Sequence, residues 1–185
     1  MLKLLLNNQN HRSVQLAYQL STEKFSIIAD WYHYAILELT QVEGFISQAE
    51  WIAAQLGLQT VQIELAIDRL VEVGLLKWEN DRLIKEKLQY EVTDKHVTTL
   101  ALRIRQKQVL EKSILSLEQD PIETRKHSAM TLAIDPDRLD EAKNRIDHFI
   151  QELTAFLEGG KQKKVYELLV NLFPLQPIVS EGETS

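Results

Sequence analysis

Residues 47 to 85 hold two helical hydrophobic periods separated by a glycine and followed by a short alternating run. No other stretch restricts the fold as closely. Ser47 and Glu50 have the spacing of a capping box ahead of Trp51, Ile52, Leu56 and Leu58, and Gly57 supplies a tight turn. Over residues 60 to 73, Ile63, Ala66, Ile67 and Leu70 recur at intervals of three and four, the pattern of one buried helical stripe that ends at Gly74. Leu75, Leu76 and Trp78 then read as a strand, residues 79 to 82 as a polar turn, and Leu83 with Ile84 as the returning strand. The expected unit is a winged helix-turn-helix. A bundle of structural helices ending in a hairpin would show the same periodicity.

With Ile63, Ala66, Ile67 and Leu70 inward, the second helix turns Thr60, Val61, Glu64, Leu65 and Asp68 outward. Glu64 and Asp68 would repel phosphates. Gln62 and Arg69 at the margins, with Arg82, Lys85 and Lys87 in or just after the wing, are the candidate donors to a DNA base edge or backbone. Val61 and Leu65, four apart, form instead a candidate apolar contact with another protein or domain.

The chain of 185 residues is long enough to bury a substantial core. Its 21 basic and 27 acidic residues leave a net charge of −6, which disfavours broad non-specific nucleic-acid binding but leaves room for a local basic patch on a dimer. There is no cysteine, hence no disulfide, thiolate catalysis or cysteine-ligated zinc. The opening MLKLLL is too short for a membrane span and lacks a cleavage pattern, so the expected location is the cytoplasm, with no membrane partner.

The expected organisation is an N-terminal segment (1–24), a winged-helix domain with a leading helix (25–90), linking helices (91–127), a strand-helix-strand unit (128–176) and a flexible tail (177–185). The fold class is thus α+β and mainly helical. A short helix is expected over residues 13 to 20. The leading helix, residues 25 to 40, contains Trp31, Tyr32, His33 and Tyr34. Aromatics beside a titratable imidazole fit a ligand site, but a buried helix junction accounts for them without one. Asp94 is positioned to cap a helix over residues 95 to 118, whose apolar stripe is interrupted by Lys107, Gln108 and Glu111. Lys95, Arg103, Arg105, Lys107 and Lys112 against Glu111 give it a local charge of +4. Arg103, Arg105 and Lys107 are its candidate phosphate contacts, with a merely solvated surface as the alternative.

Asp120, Pro121 and Glu123 mark a short helix start. Met130, Leu132 and Ile134 alternate as a strand, Asp135 and Pro136 open another helix, Gly159 and Gly160 stop it, and residues 165 to 172 read as a final strand. Two strands under one helix leave edges that need the preceding helices or a second subunit, which makes a homodimer the expected assembly.

Catalytic and metal readings find little support. The five histidines are dispersed. Asp140, Asn144 and His148 share a helix face, but they also make an ordinary polar side. His127 beside Ser128 is adjacency without nucleophile-base geometry. No enzyme activity, cofactor or metal is expected.

Taken in order, IADWYHYAILEL (28–39), EWIAAQLGL (50–58), LVEVGLL (70–76), MTLAI (130–134) and VYELLVNLFPL (165–175) resemble a bacterial family of unknown function, DUF4423. That family was first noticed as expanded in predatory and fibre-degrading bacteria, and its members are often assigned as transcriptional regulators. Longer members look like a separate N-terminal helical DNA-binding region joined to this module, and the present chain is expected to lack that region. The resemblance implies transcription regulation with double-stranded DNA as partner. It places Gln59, Thr60 and Gln62 at the start of the winged unit's second helix. The alternative is a regulatory module that binds a protein partner or dimerises without touching DNA.

Overall fold

The structure, a computed structural model, describes residues 28–86 and 100–176. It is mixed α+β and mainly helical, with one small hairpin. Helix α1 (Trp31–Leu39) begins later than its periodicity predicts: residues 28–30 are not helical, and Asp30 sits extended ahead of the first turn. The Asp30 carboxylate is engaged by other side chains, which leaves it no role as a cap.

Helix α2 (Ala49–Leu56) starts after Gln48, and the expected Ser47/Glu50 box does not form. Ser47 Oγ instead accepts the Leu83 amide at 2.9 Å, tying the returning wing strand to the entry of α2. Gly57 adopts a left-handed conformation (φ 66°), which a side chain would disfavour, and directs the chain into α3 (Thr60–Glu72). Gly74 (φ 73°) ends α3, and the Leu75 amide returns to the Leu70 carbonyl at 2.8 Å. Strands β1 (Leu76–Glu79) and β2 (Arg82–Lys85) pair antiparallel, with Leu76 opposite Lys85 and Glu79 opposite Arg82. Asn80 and Asp81, both at positive φ, make the two-residue turn whose twist matches the strands.

Ile36 of α1, Ile52 of α2, Ile63 and Leu70 of α3, and Leu76 and Leu83 of the hairpin are almost completely buried together. The result is a winged-helix-like arrangement of helices and hairpin around one core. Helix α4 (Leu100–Gln119) lies against α1, contributes Ala101 to that core and runs on outward. No helix among the described residues is long and apolar enough to cross a membrane.

In place of the expected short helix, the chain beyond α4 makes a single 3-10 turn (Ile122–Thr124). Asp135 Oδ1 accepts the Asp137 amide at 3.1 Å, and a turn at Pro136–Arg138 opens α5 (Leu139–Glu158). Here the structure corrects the sequence reading. Residues 128–134 and 165–172 form no strand, because the only sheet among the described residues is β1–β2. A strand needs a hydrogen-bonded neighbour, and neither run makes a backbone hydrogen bond to another described residue. No residue of α5 is buried. The expected helix at 13–20, the Asp94 cap and the tail from residue 177 lie outside the described residues.

Candidate functional site

The outward face of α3 follows from its inner row. Once Ile63, Ala66, Ile67 and Leu70 are buried, Val61 and Leu65 are left 54% and 53% exposed, with Glu64 and Asp68 exposed beside them. The Gln59 amide donates to Gln62 Oε1 at 3.2 Å, so the Gln62 carbonyl is used to cap the helix. Gln59 is exposed and Thr60 half-buried.

The cations expected at a DNA surface are dispersed. Arg69 is exposed, and its charge acts on Asp30, Tyr32 and His33 at the start of α1. Lys85 Nζ is 2.6 Å from Glu38 Oε1, with the lysine side chain only 17% exposed. Glu38 lies eight residues along α1 from Asp30, about 12 Å at the helical rise, so Arg69 and Lys85 serve opposite ends of that helix. On β1, Lys77 is bonded to Glu86 at 2.8 Å, which with nearby Glu79 pushes its ammonium pKa up. Arg82 is exposed where the wing turn meets residues 44–48 around a shallow cavity of about 460 Å³. Lys87 lies outside the described residues.

The second polar centre joins α1 to α4. Gln108 accepts the Trp31 amide at 2.9 Å through Oε1 and donates through Nε2 to Asp30 Oδ1 at 2.8 Å, while Tyr32 Oη donates to Asp30 Oδ2 at 2.8 Å. Burial raises the Asp30 pKa, but the two hydrogen bonds together with the His33 and Arg69 charges outweigh it and hold the carboxyl below its ordinary 3.8. Burial and the same carboxylate push Tyr32 up to about 12. Lys112 Nζ stands 3.9 Å from the Trp31 ring centroid and the Arg105 guanidinium 4.4 Å from that of Tyr34, both in cation–π range. Arg105 also pairs with Glu167 at 2.8 Å and is only 17% exposed. The aromatic run is therefore a helix seam, and Arg105 is turned into it, whereas Arg103 and Lys107 remain on the solvent side.

Asp30, Gln108 and Glu38 organise these contacts, and none was singled out as a site residue from sequence. The one legible signal was the polar break at residues 107, 108 and 111 in the apolar stripe of α4. Gln108 fills part of that break because it meets a carboxylate and a free helix-start amide.

His33 is fully buried in α1, and its Nδ1 lies 3.2 Å from the Asp30 carbonyl. A carbonyl only accepts, so Nδ1 carries the proton and Nε2 keeps its lone pair, with no partner among the described residues. Burial lowers the His33 pKa below 6.5, outweighing the hydrogen bond and charge from Asp30. The unfolded chain therefore binds the extra proton first, so stability is full above pH 6.5 and declines as pH falls toward the depressed folded value. Urea titrations between pH 7.5 and about pH 5 are expected to show this decline, and His33→Asn, which keeps a donor near the Nδ1 position, to flatten it. An unchanged slope in that variant would remove His33 as its source.

Among the described residues no three His, Asp or Glu side chains form a group able to hold a metal ion. Asp140 pairs with Lys143 at 3.0 Å, while Asn144 and His148 line a shallow depression on α5. His127 and Ser128 are both exposed. The arrangement can present surfaces and charges.

No curated protein and no solved structure matches the chain. One family model does, a domain of unknown function, over residues 12–175. That span takes in α1, the winged-helix-like core, the α1–α4 seam and the C-terminal runs, and the chain belongs to the DUF4423 family.

Proposed function

We propose that this chain is a non-enzymatic transcription-regulatory module of the winged helix-turn-helix kind, cytoplasmic and homodimeric. In this reading its α3 face docks a protein segment bearing apolar side chains flanked by lysine or arginine. The observation that carries it is the exposure of Val61 and Leu65 beside Glu64 and Asp68, on the helix that winged-helix proteins present to DNA. An acidic flank beside an apolar pair matches a basic amphipathic segment and opposes a duplex, which carries a negative charge about every 1.7 Å. The exposed side chains of α2, α3 and the wing turn include Glu50, Glu64, Asp68, Glu72 and Asp81 against Arg69 and Arg82. Lys85 would have to leave Glu38 to reach a phosphate.

A second reading, direct contact with double-stranded DNA, draws on the exposure of Arg82 at the wing tip and of Gln59 and Gln62 at the start of α3. Selection of displayed random peptides on the purified chain, beside selection of random duplexes at two salt concentrations, separates the two readings. The expected result is enrichment of peptides with apolar residues flanked by Lys or Arg, abolished by Val61→Glu with Leu65→Glu, and no enriched duplex. A reproducible duplex motif weakened by Arg82→Ala or Lys85→Ala would overturn the protein-docking reading in favour of the second.

A further inference from the structure

The C-terminal third of the chain has the pattern of a core without the burial. Twelve large apolar side chains between Met130 and Leu175 stand exposed, among them Met130 at 80% and Phe156 at 77%. Their bare area sums to on the order of 1,000 Å².

The run from 165 to 172 has two different faces. Val165 packs on the core, Glu167 holds Arg105 and Leu169 is half-buried, so the odd-numbered row looks toward the body. The run is anchored where the Glu43 amide donates to the Gln162 carbonyl at 2.8 Å. Its even-numbered row, Tyr166, Leu168, Val170 and Leu172, is bare. Residues 125–134 and 163–174 make no backbone hydrogen bond to any described residue. Among the described residues these backbone edges are open, on segments nearly free of charge: residues 128–134 have none, and the only charge in 165–175 is Glu167, which is already paired.

We infer that a second copy of this chain completes this unit. Residues 128–134 of each copy pair with residues 165–172 of the other, and each α5 lays its apolar stripe on the partner's α4, where Leu110, Ile114 and Leu117 stand exposed at spacings of four and three. The occupant follows from three features together. Neither run has a backbone hydrogen-bond partner among the described residues, and each could supply one to the other. The bare area matches the roughly 800 Å² per partner of a stable interface. The reciprocal use of one surface is what a twofold axis requires. The inference gives the dimeric part of the proposed function its interface, and it does not depend on what α3 binds.

Light scattering on the full chain should give twice the 21.4 kDa of one copy. The chain has no cysteine, so single substitutions report pairing cleanly. Leu132→Cys would be co-refolded from urea with Leu168→Cys, Val170→Cys or Leu172→Cys in turn, oxidised, and read by mass spectrometry of linked peptides. The expected result is a disulfide between residue 132 of one copy and one of these positions of the other, and a loosening of the dimer by about 100-fold or more in Val170→Asp, with helix content retained. A dimer that shows no such link and tolerates Val170→Asp would overturn the strand exchange while leaving the dimeric reading in place. A monomer in which Leu132→Cys bonds within one chain to a second cysteine at 168, 170 or 172 would overturn both.

Discussion

Leu70→Ala is expected to destabilise the folded chain by about 3 kcal/mol, lowering its melting temperature by about 6–12 °C. Leu70 is fully buried on α3, in one cluster with Ile36, Ile52, Ile63 and both hairpin leucines. Truncation there removes transfer energy and leaves a cavity whose walls belong to helices and strands already held by other contacts. Domains of this size hold only about 5–15 kcal/mol of net stability, so one side chain can remove a large share. Leu65 lies on the same helix but is 53% exposed, and Leu65→Ala is expected to change stability by less than about 0.5 kcal/mol. Trp31, Trp51 and Trp78 report unfolding by fluorescence in urea. Equal losses in the two variants would mean that α3 is rotated relative to the core, which would also remove the basis for a docking face at Val61 and Leu65.

The second large effect belongs to the α1–α4 seam. Gln108→Glu is expected to destabilise the chain by about 2 kcal/mol near neutral pH. The new carboxylate still accepts the Trp31 amide, but it cannot donate to Asp30 and places a like charge beside it. Two carboxylates at one partly buried site raise the pKa of one of them above the ordinary value. The proton they share then restores the lost donor. Its stabilisation is full at low pH and lost as pH rises through the raised pKa, so the deficit against the native chain is expected to shrink as pH falls below about 5. Gln108→Met removes donor and acceptor without adding charge, and its deficit should lack that rescue. Stability curves for Gln108→Glu that coincide with the native chain from pH 5 to pH 8 would show that the seam does not depend on this hydrogen-bonded pair.

Much of the local architecture was legible in the amino-acid order because it rests on interactions within a few residues. The apolar stripe of α3, the left-handed turns at Gly57 and Gly74, the Asn80–Asp81 hairpin and the Asp135 start of α5 all follow from periodicity and backbone chemistry. Ser47 shows where such reasoning stops. Its spacing to Glu50 fitted a helix cap, but the amide that claims its hydroxyl belongs to Leu83, 36 residues away. The candidate site divides in the same way. That Val61 and Leu65 face outward follows from the helical period alone. That Lys85 and Arg105 are withdrawn from the surface could not be read from sequence, because Glu38 and Glu167, 47 and 62 residues distant, become neighbours only after packing.

The alternation at 130–134 and 165–172 predicts strands that do not form among the described residues, because alternation specifies only which side of a strand would be apolar and never what pairs with it or covers it. Sequence alone therefore determined the helices, turns and hairpin of this protein and the stripe each one must bury. The tertiary structure decided which charges are spent inside the chain and which apolar faces remain open, because both depend on contacts between residues far apart in sequence.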